Sequence, residues 1–177
     1  AESPVRAGVI WVGTDDGNIQ VTQDGGRTWA NVVGNIRGLP PASWIARIEA
    51  SPHAAGTAFV AVDRHRDDDF SPHVFKTTDF GKSWTSLRGN LPPVGYAQVI
   101  REDPRVPNLL YVGTELGIFA SWDGGQRWAS IRNNIPPVSV RDIKVHPREH
   151  DLIVGTHGRG IYILDDATPL QRLADAT

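Results

Sequence analysis

The chain has 177 residues and a formal net charge of −2. That is long enough for one domain with a substantial core and lacks the basic excess of a dedicated nucleic-acid or anionic-membrane surface. It has no cysteine, which excludes disulfides, thiolate metal sites and a cysteine nucleophile. No apolar run reaches the length of a membrane span, so membrane insertion is not expected. No signal peptide is visible at Ala1 and there is no methionine anywhere, so the sequence is expected to be a processed or excised part of a longer one.

Short apolar runs separated by turn residues predict strands throughout. Naming strands A to D from the inside of each repeat outward, the first repeat begins late, with B over 8–13, C over 18–22 and D over 28–33. The second is complete, with strands over 45–50, 57–62, 73–77 and 83–87. The third is complete as well, over 96–101, 109–113, 118–121 and 127–131. The fourth stops early, with strands over 140–145, 152–155 and 161–164. Prolines and glycines fall mostly between these runs, which argues against long helices. One short helix is expected over 169–174, in a tail that follows residue 166.

The strands repeat with a period. Leu39-Pro40-Pro41 recurs as Leu91-Pro92-Pro93 and Ile135-Pro136-Pro137, after 52 and then 44 residues. Ser51-Pro52, Asp103-Pro104 and His146-Pro147 follow the same rhythm, and Val-Gly-Thr recurs at 12–14, 112–114 and 154–156. A period of about 40–50 residues built from short strands is that of propeller blades. Between strands C and D lies a stricter frame, Ser/Thr-x-Asp-x-Gly-x-x-Trp. It occurs as Thr22, Asp24, Gly26 and Trp29, as Thr77, Asp79, Gly81 and Trp84, and as Ser121, Asp123, Gly125 and Trp128. A turn-opening Asp accepts bonds from following N–H groups, the glycine takes a positive φ, and the Trp supplies apolar packing. Asp166 stands where a fourth frame would have its Asp, but Ala167-Thr168-Pro169 follows.

These frames resemble the Asp-box, or BNR, repeat of β-propellers such as sialidases, xyloglucanase-type glycosidases, sortilin-type ectodomains and photosystem II assembly factors. The resemblance covers 9–166. It implies an all-β fold of two whole and two partial four-stranded blades, about fourteen strands, within a larger ring of seven or eight blades. A second copy, another chain or an absent N-terminal part would complete that ring. It also implies a structural role for the frames and a secreted or periplasmic location.

In an up-and-down blade the frame turns and the x-Pro turns share one face. The B–C loops and D–A crossovers share the other, where rigid scaffolds present function. That second face carries Asp15-Asp16, the loop Asp63-Arg64-His65-Arg66-Asp67-Asp68-Asp69 running on to Pro72, Glu115, and His157-Gly158-Arg159, with Trp44 and Tyr96 on the crossovers. The long loop reads either as a solvated insertion with internally paired charges or as a rim that binds a polar ligand. Its adjacent carboxylates could hold Ca²⁺ with backbone carbonyls, but the spacing is not that of an EF-hand, and no metal or cofactor is expected. His157 and Arg159 suit a carboxylate, phosphate or sugar hydroxyl. Trp44 and Tyr96 either stack on sugar rings or pack between blades. Glycosidase chemistry needs two carboxyl groups about 5–10 Å apart, for which Asp15, Asp16, Asp63 and Glu115 are the candidates. No sialidase motif beyond the frame is matched. The expected function is a non-enzymatic binding module with a protein or carbohydrate ligand. The alternative is a fragment of a glycoside hydrolase.

Overall fold

The computed structural model describes residues 1–173. Fourteen strands form four antiparallel sheets, each an up-and-down meander. The first holds β1 (Ile10–Gly13), β2 (Ile19–Thr22) and β3 (Ala30–Asn31). The second holds β4 (Trp44–Ala50), β5 (Ala58–Arg64), β6 (Asp69–Thr77) and β7 (Thr85–Ser86). The third holds β8 (Ala97–Glu102), β9 (Leu110–Thr114), β10 (Gly117–Ser121) and β11 (Ala129–Ser130). The fourth holds β12 (Val140–Val145), β13 (Leu152–Thr156) and β14 (Ile161–Leu164), followed by α1 (Thr168–Leu173). The predicted helix over 169–174 thus starts one residue earlier, and Ala174 lies outside the described residues.

The outer strands are much shorter than predicted: β3, β7 and β11 have two residues each, all exposed. Only one further bond continues each pairing, from the N–H groups of Val32, Leu87 and Ile131 to the carbonyls of Ile19, Val74 and Ile118. There the side chain turns inward to the core and the chain leaves the sheet. The long second-blade loop also differs from expectation. β5 runs on to Arg64, β6 begins at Asp69, and a single 3-10 turn over His65–Asp67 joins them, closed by Asp68 at φ 58°. It is a hairpin extension, because Arg64 and Asp69 still pair across the sheet.

The first repeat does have an inner edge. Glu2 bridges to Ile10, Trp11 N–H donates to the Ala1 carbonyl at 2.7 Å, and Ser3 N–H donates to Val9 O at 2.8 Å. Ser51, Asp103 and His146 make the corresponding bond to Thr57, Leu109 and Asp151. Ser3-Pro4 is therefore a fourth x-Pro turn, and its proline joins Pro52, Pro104 and Pro147 around a depression of about 370 Å³ on the frame-turn face.

The core lies between sheets. One apolar cluster joins Val9, Trp11 and Ile19 to Val60 and Val62. A second joins Phe59 and Val74 to Leu110, Val112 and Trp128. A third joins Tyr111 and Ile118 to Leu152 and Val154. Blades stacked on both sides explain why β5 and β9 are buried along almost their whole length and read as continuous apolar runs. The Val-Gly-Thr glycines allow this approach: a Cβ at Gly13 would stand 2.4 Å from Ile45, and one at Gly113 2.6 Å from Val140, each on the next inner strand. Near the axis, Arg101 pairs with Glu49 and Asp142 and donates to the Ile143 carbonyl, while Arg47 also reaches Asp142.

The frame turns are built alike. The Thr22, Thr77 and Ser121 hydroxyls each donate to the frame Asp at 2.7–2.8 Å and accept from the glycine N–H at 2.8–3.0 Å. Asp24, Asp79 and Asp123 each accept a further N–H four residues on, at 2.9 Å. Gly26, Gly81 and Gly125 have φ of 93°, 82° and 96°. At the fourth site Ala167 N–H bonds to His150 O, as Gly25, Phe80 and Gly124 bond to Gly8, Gly56 and Asn108. Asp166 thus holds the frame Asp position, but the chain then enters α1 in place of an outer strand. Trp84 and Trp128 are packed, whereas Trp29 is 44% exposed.

Candidate functional site on the loop face

The second-blade hairpin is anchored by Asp63, whose side chain is fully buried. In the first, third and fourth blades this register holds Asp15, Glu115 and His157, while Thr14, Thr114 and Thr156, whose hydroxyls tie the B–C turn, stand one residue earlier, at the place of Val62. Val62 has no hydroxyl, and in the second blade Asp63 ties the turn from the next position. Its Oδ1 accepts from the His65 N–H at 2.9 Å and from His65 Nδ1 at 2.6 Å, and its Oδ2 accepts from Gln98 Nε2 at 2.6 Å. Gln98 Oε1 accepts in turn from Arg141 Nη1 at 2.9 Å. Four residues from three blades therefore form one continuous polar relay.

Gln98 and Arg141 were not singled out from the sequence. Each inner strand skips one residue in its pairing, at Ala46, Gln98 and Arg141. Such a bulge re-aims its side chain. The available signal is the repeat itself, which puts two long polar residues and one alanine at a single register.

The relay orients two flat surfaces. The His65 ring stacks on Tyr96, with centroids 4.7 Å apart and planes 22° apart. Burial, followed by the nearby Glu115 charge, pushes the Tyr96 hydroxyl up. The Arg66 guanidinium lies 4.7 Å over the Trp44 ring. Trp44 and Tyr96 thus hold loop side chains. With His65 Nδ1 committed to Asp63, Nε2 is the ring nitrogen left for a ligand. Behind the tip, Arg64 pairs with Asp67 and Asp69, and Asp69 accepts from His73 Nε2 at 2.7 Å and from Ser71 N–H at 3.0 Å. Burial works to raise the Asp69 carboxyl, but these bonds prevail and hold it below its ordinary value. Phe70 O accepts from Gly95 N–H at 2.8 Å, fixing the hairpin to the next crossover.

The other loop residues stand apart from this cluster. Asp15 is exposed, and Asp16 is held in its own turn by Thr14 and Asn18, whose bonds lower its carboxyl. Glu115 is half-buried beside Tyr96, its N–H bonded to the Tyr96 carbonyl at 3.1 Å. Asp68 is exposed at the tip. His157 and Arg159 lie on the exposed fourth-blade turn, preceding Gly158 and Gly160 at φ 80° and 82°, with their side chains unbonded. No group of three or more His, Asp or Glu among the described residues is placed to hold a metal ion.

Comparison with known proteins agrees with this architecture. No family model matches the chain. Over 89 residues it is 29% identical to an oligoxyloglucan-reducing end-specific xyloglucanase of Emericella nidulans, covering 50% of this chain and 10% of that protein. The Niastella koreensis GH74 enzyme superposes with a TM-score of 0.70 at 18% identity, covering 94% of this chain and 28% of that one. YCF48 bound to a D1 peptide superposes with a TM-score of 0.59 at 17% identity, over 89% and 48% of the two chains. Such likeness shows the fold: the chain is a run of β-propeller blades. It spans less than half the length of each of these proteins.

Proposed function

We propose that this chain is a non-enzymatic binding module of the Asp-box type, whose loop face around His65, Arg66, Trp44 and Tyr96 takes a protein or carbohydrate ligand. The observation that carries this reading is the state of Asp63. Its side chain is fully buried and both of its oxygens are engaged, by His65 and Gln98, so this carboxylate shapes the loop and is not presented to attack or protonate a glycoside. Two cation- and imidazole-bearing aromatic surfaces remain beside it, suited to stacking and charge-assisted bonds. The two kinds of ligand follow those named for the similar proteins, a xyloglucan and a peptide. Calorimetric titration with xyloglucan oligosaccharides and with a panel of short peptides tests the proposal. Saturable binding to one class, weakened by Arg66→Ala and His65→Ala, is expected. Binding by neither class, or binding untouched by both changes, overturns it.

The alternative reading, a piece of a glycoside hydrolase, is favoured by the xyloglucanase match. Turnover of xyloglucan oligosaccharides that disappears on replacing Asp15, Asp16 or Glu115 would establish it against the binding module.

A further inference from the structure

The fourth blade shows an unfilled place whose normal occupant is visible elsewhere in the same chain. The strand-C residue paired with Gly13, Ala61 or Gly113 is inaccessible in the first three blades: Ile19 and Val74 at 0% and Ile118 at 1%. At the same register Ile161 is 71% exposed. The carbonyls of Ile19, Val74 and Ile118 accept bonds from an outer strand. Beside β14 no described strand lies, because α1 replaces it. Next to this bare edge runs a groove of about 290 Å³ lined by Ile131, Asn134, Ile135, Val154, Tyr162 and Leu170, among others.

The preceding junction shows what such a groove holds. There Trp128, at the start of the third outer strand, is buried with its indole N–H donating to Leu87 O at 2.8 Å. Asn90 clamps it at both ends: its Oδ1 accepts from Trp128 N–H at 2.6 Å, and its Nδ2 donates to Trp128 O at 3.1 Å. Asn134 occupies the position of Asn90, just before the apolar-Pro-Pro segment. It lines the empty groove with no side-chain partner. Three features therefore coincide: an open strand edge, an apolar slot and a spare asparagine clamp.

We propose that the β14 edge and this groove form a binding site for an extended peptide segment of another chain. The segment would lie antiparallel to β14 in the outer-strand position and place a tryptophan in the groove. The outer strands β3, β7 and β11 are each paired within their blades and do not fill the place; the occupant proposed is a separate segment that carries the same tryptophan. Main-chain bonds to the edge supply affinity and the indole slot supplies selectivity, as in strand addition generally. The site lies along the fourth blade, shares no residue with the cluster of His65, Arg66, Trp44 and Tyr96, and stands independently of the reading given above.

The test is titration of the full chain with a synthetic peptide copying residues 125–132, blocked at both ends. Saturable binding is expected, together with slowed amide exchange at Ile161 and Ile163. Trp128→Ala within the peptide should weaken binding at least about tenfold. Asn134→Ala in the protein, a change too mild to unfold it, should weaken binding of the Trp peptide and leave the residual binding of the Ala peptide alone. Absence of binding, equal binding of the two peptides, or unchanged exchange at β14 overturns the proposal.

Discussion

His65 and Asp63, two positions apart, are joined twice through one oxygen: the His65 backbone N–H and Nδ1 both donate to Asp63 Oδ1, at 2.9 and 2.6 Å. A buried carboxylate that also accepts from Gln98 fixes the hairpin, the imidazole tautomer and the bulge of the neighbouring inner strand together.

Asp63→Asn should therefore disturb more than one bond. The new amide group would face the Gln98 amide, and reversing Gln98 would turn its NH₂ toward the Arg141 guanidinium. One buried donor is left unsatisfied in either arrangement, at a cost of about 1–3 kcal/mol. A melting temperature lower by about 2–4 °C per kcal/mol is expected for a chain of this size. An unchanged melt would show that the relay does not hold the hairpin.

The frame turns predict acid sensitivity. Asp24 is held well below the ordinary carboxylate range and Asp79 is lowered too, first by hydroxyl bonds from Thr28 and Ser83 and then by backbone N–H groups. At Asp123 burial opposes the shift, but bonds from the Arg127 N–H and the Ser121 hydroxyl bring it down. A carboxyl depressed in the folded state contributes stability that is present above its unfolded pKa, about 3.9. That contribution is lost as pH falls below that value through the folded pKa. Melts recorded from pH 7 down to pH 2 should fall off below about pH 4, and Asp79→Asn should reduce that slope while lowering stability at pH 7.

The glycines offer a paired test. Gly113→Ala would drive a methyl to 2.6 Å from both Val140 and Val99, an overpacking expected to cost about 1–3 kcal/mol. At Gly155, the same place in the last blade, a Cβ meets nothing nearer than 3.6 Å. Gly155→Ala should stay within about 0.5 kcal/mol of the parent. Equal effects in denaturant melts would refute the reading that these glycines serve the next blade's approach.

The tryptophans divide in the same way. Trp128→Ala opens a cavity at a buried junction and should cost about 3–5 kcal/mol. Trp29→Ala removes a side chain that is nearly half in solvent and should cost less, about 1 kcal/mol. Equilibrium unfolding of the two variants measures the difference directly.

Much of the fold was legible because the turns repeat. The frame, the x-Pro pairs and Val-Gly-Thr each mark one strand end, so all fourteen strands could be placed. Their lengths were less accessible. The apolar Val32, Leu87 and Ile131 make the outer strands look long, yet these residues serve the space between blades. The first inner edge escaped because only Ser3-Pro4 marks it. At the loop face, sequence could assign Asp63, His65 and Arg66 to one side of the sheet. It could not reveal the relay, because a bulge shifts alternation by one residue and is defined only by the partner strand. Nor could chain spacing tell that Asp16 bonds within its own turn while Asp63 reaches across two blades.

A core divided among the junctions has a consequence for how the molecule comes apart. A single sheet owns only half of each cluster it touches, so cooperativity passes from neighbour to neighbour, as in other repeat architectures. Opening β14 strips one face of one cluster and leaves the other two intact. Protection should therefore be graded along the chain, with amides of β13 and β14 exchanging first and those of β5, β8 and β9, covered from both sides, exchanging last. The chain then behaves as a short stack that frays from an end, with its most durable portion in the second and third blades.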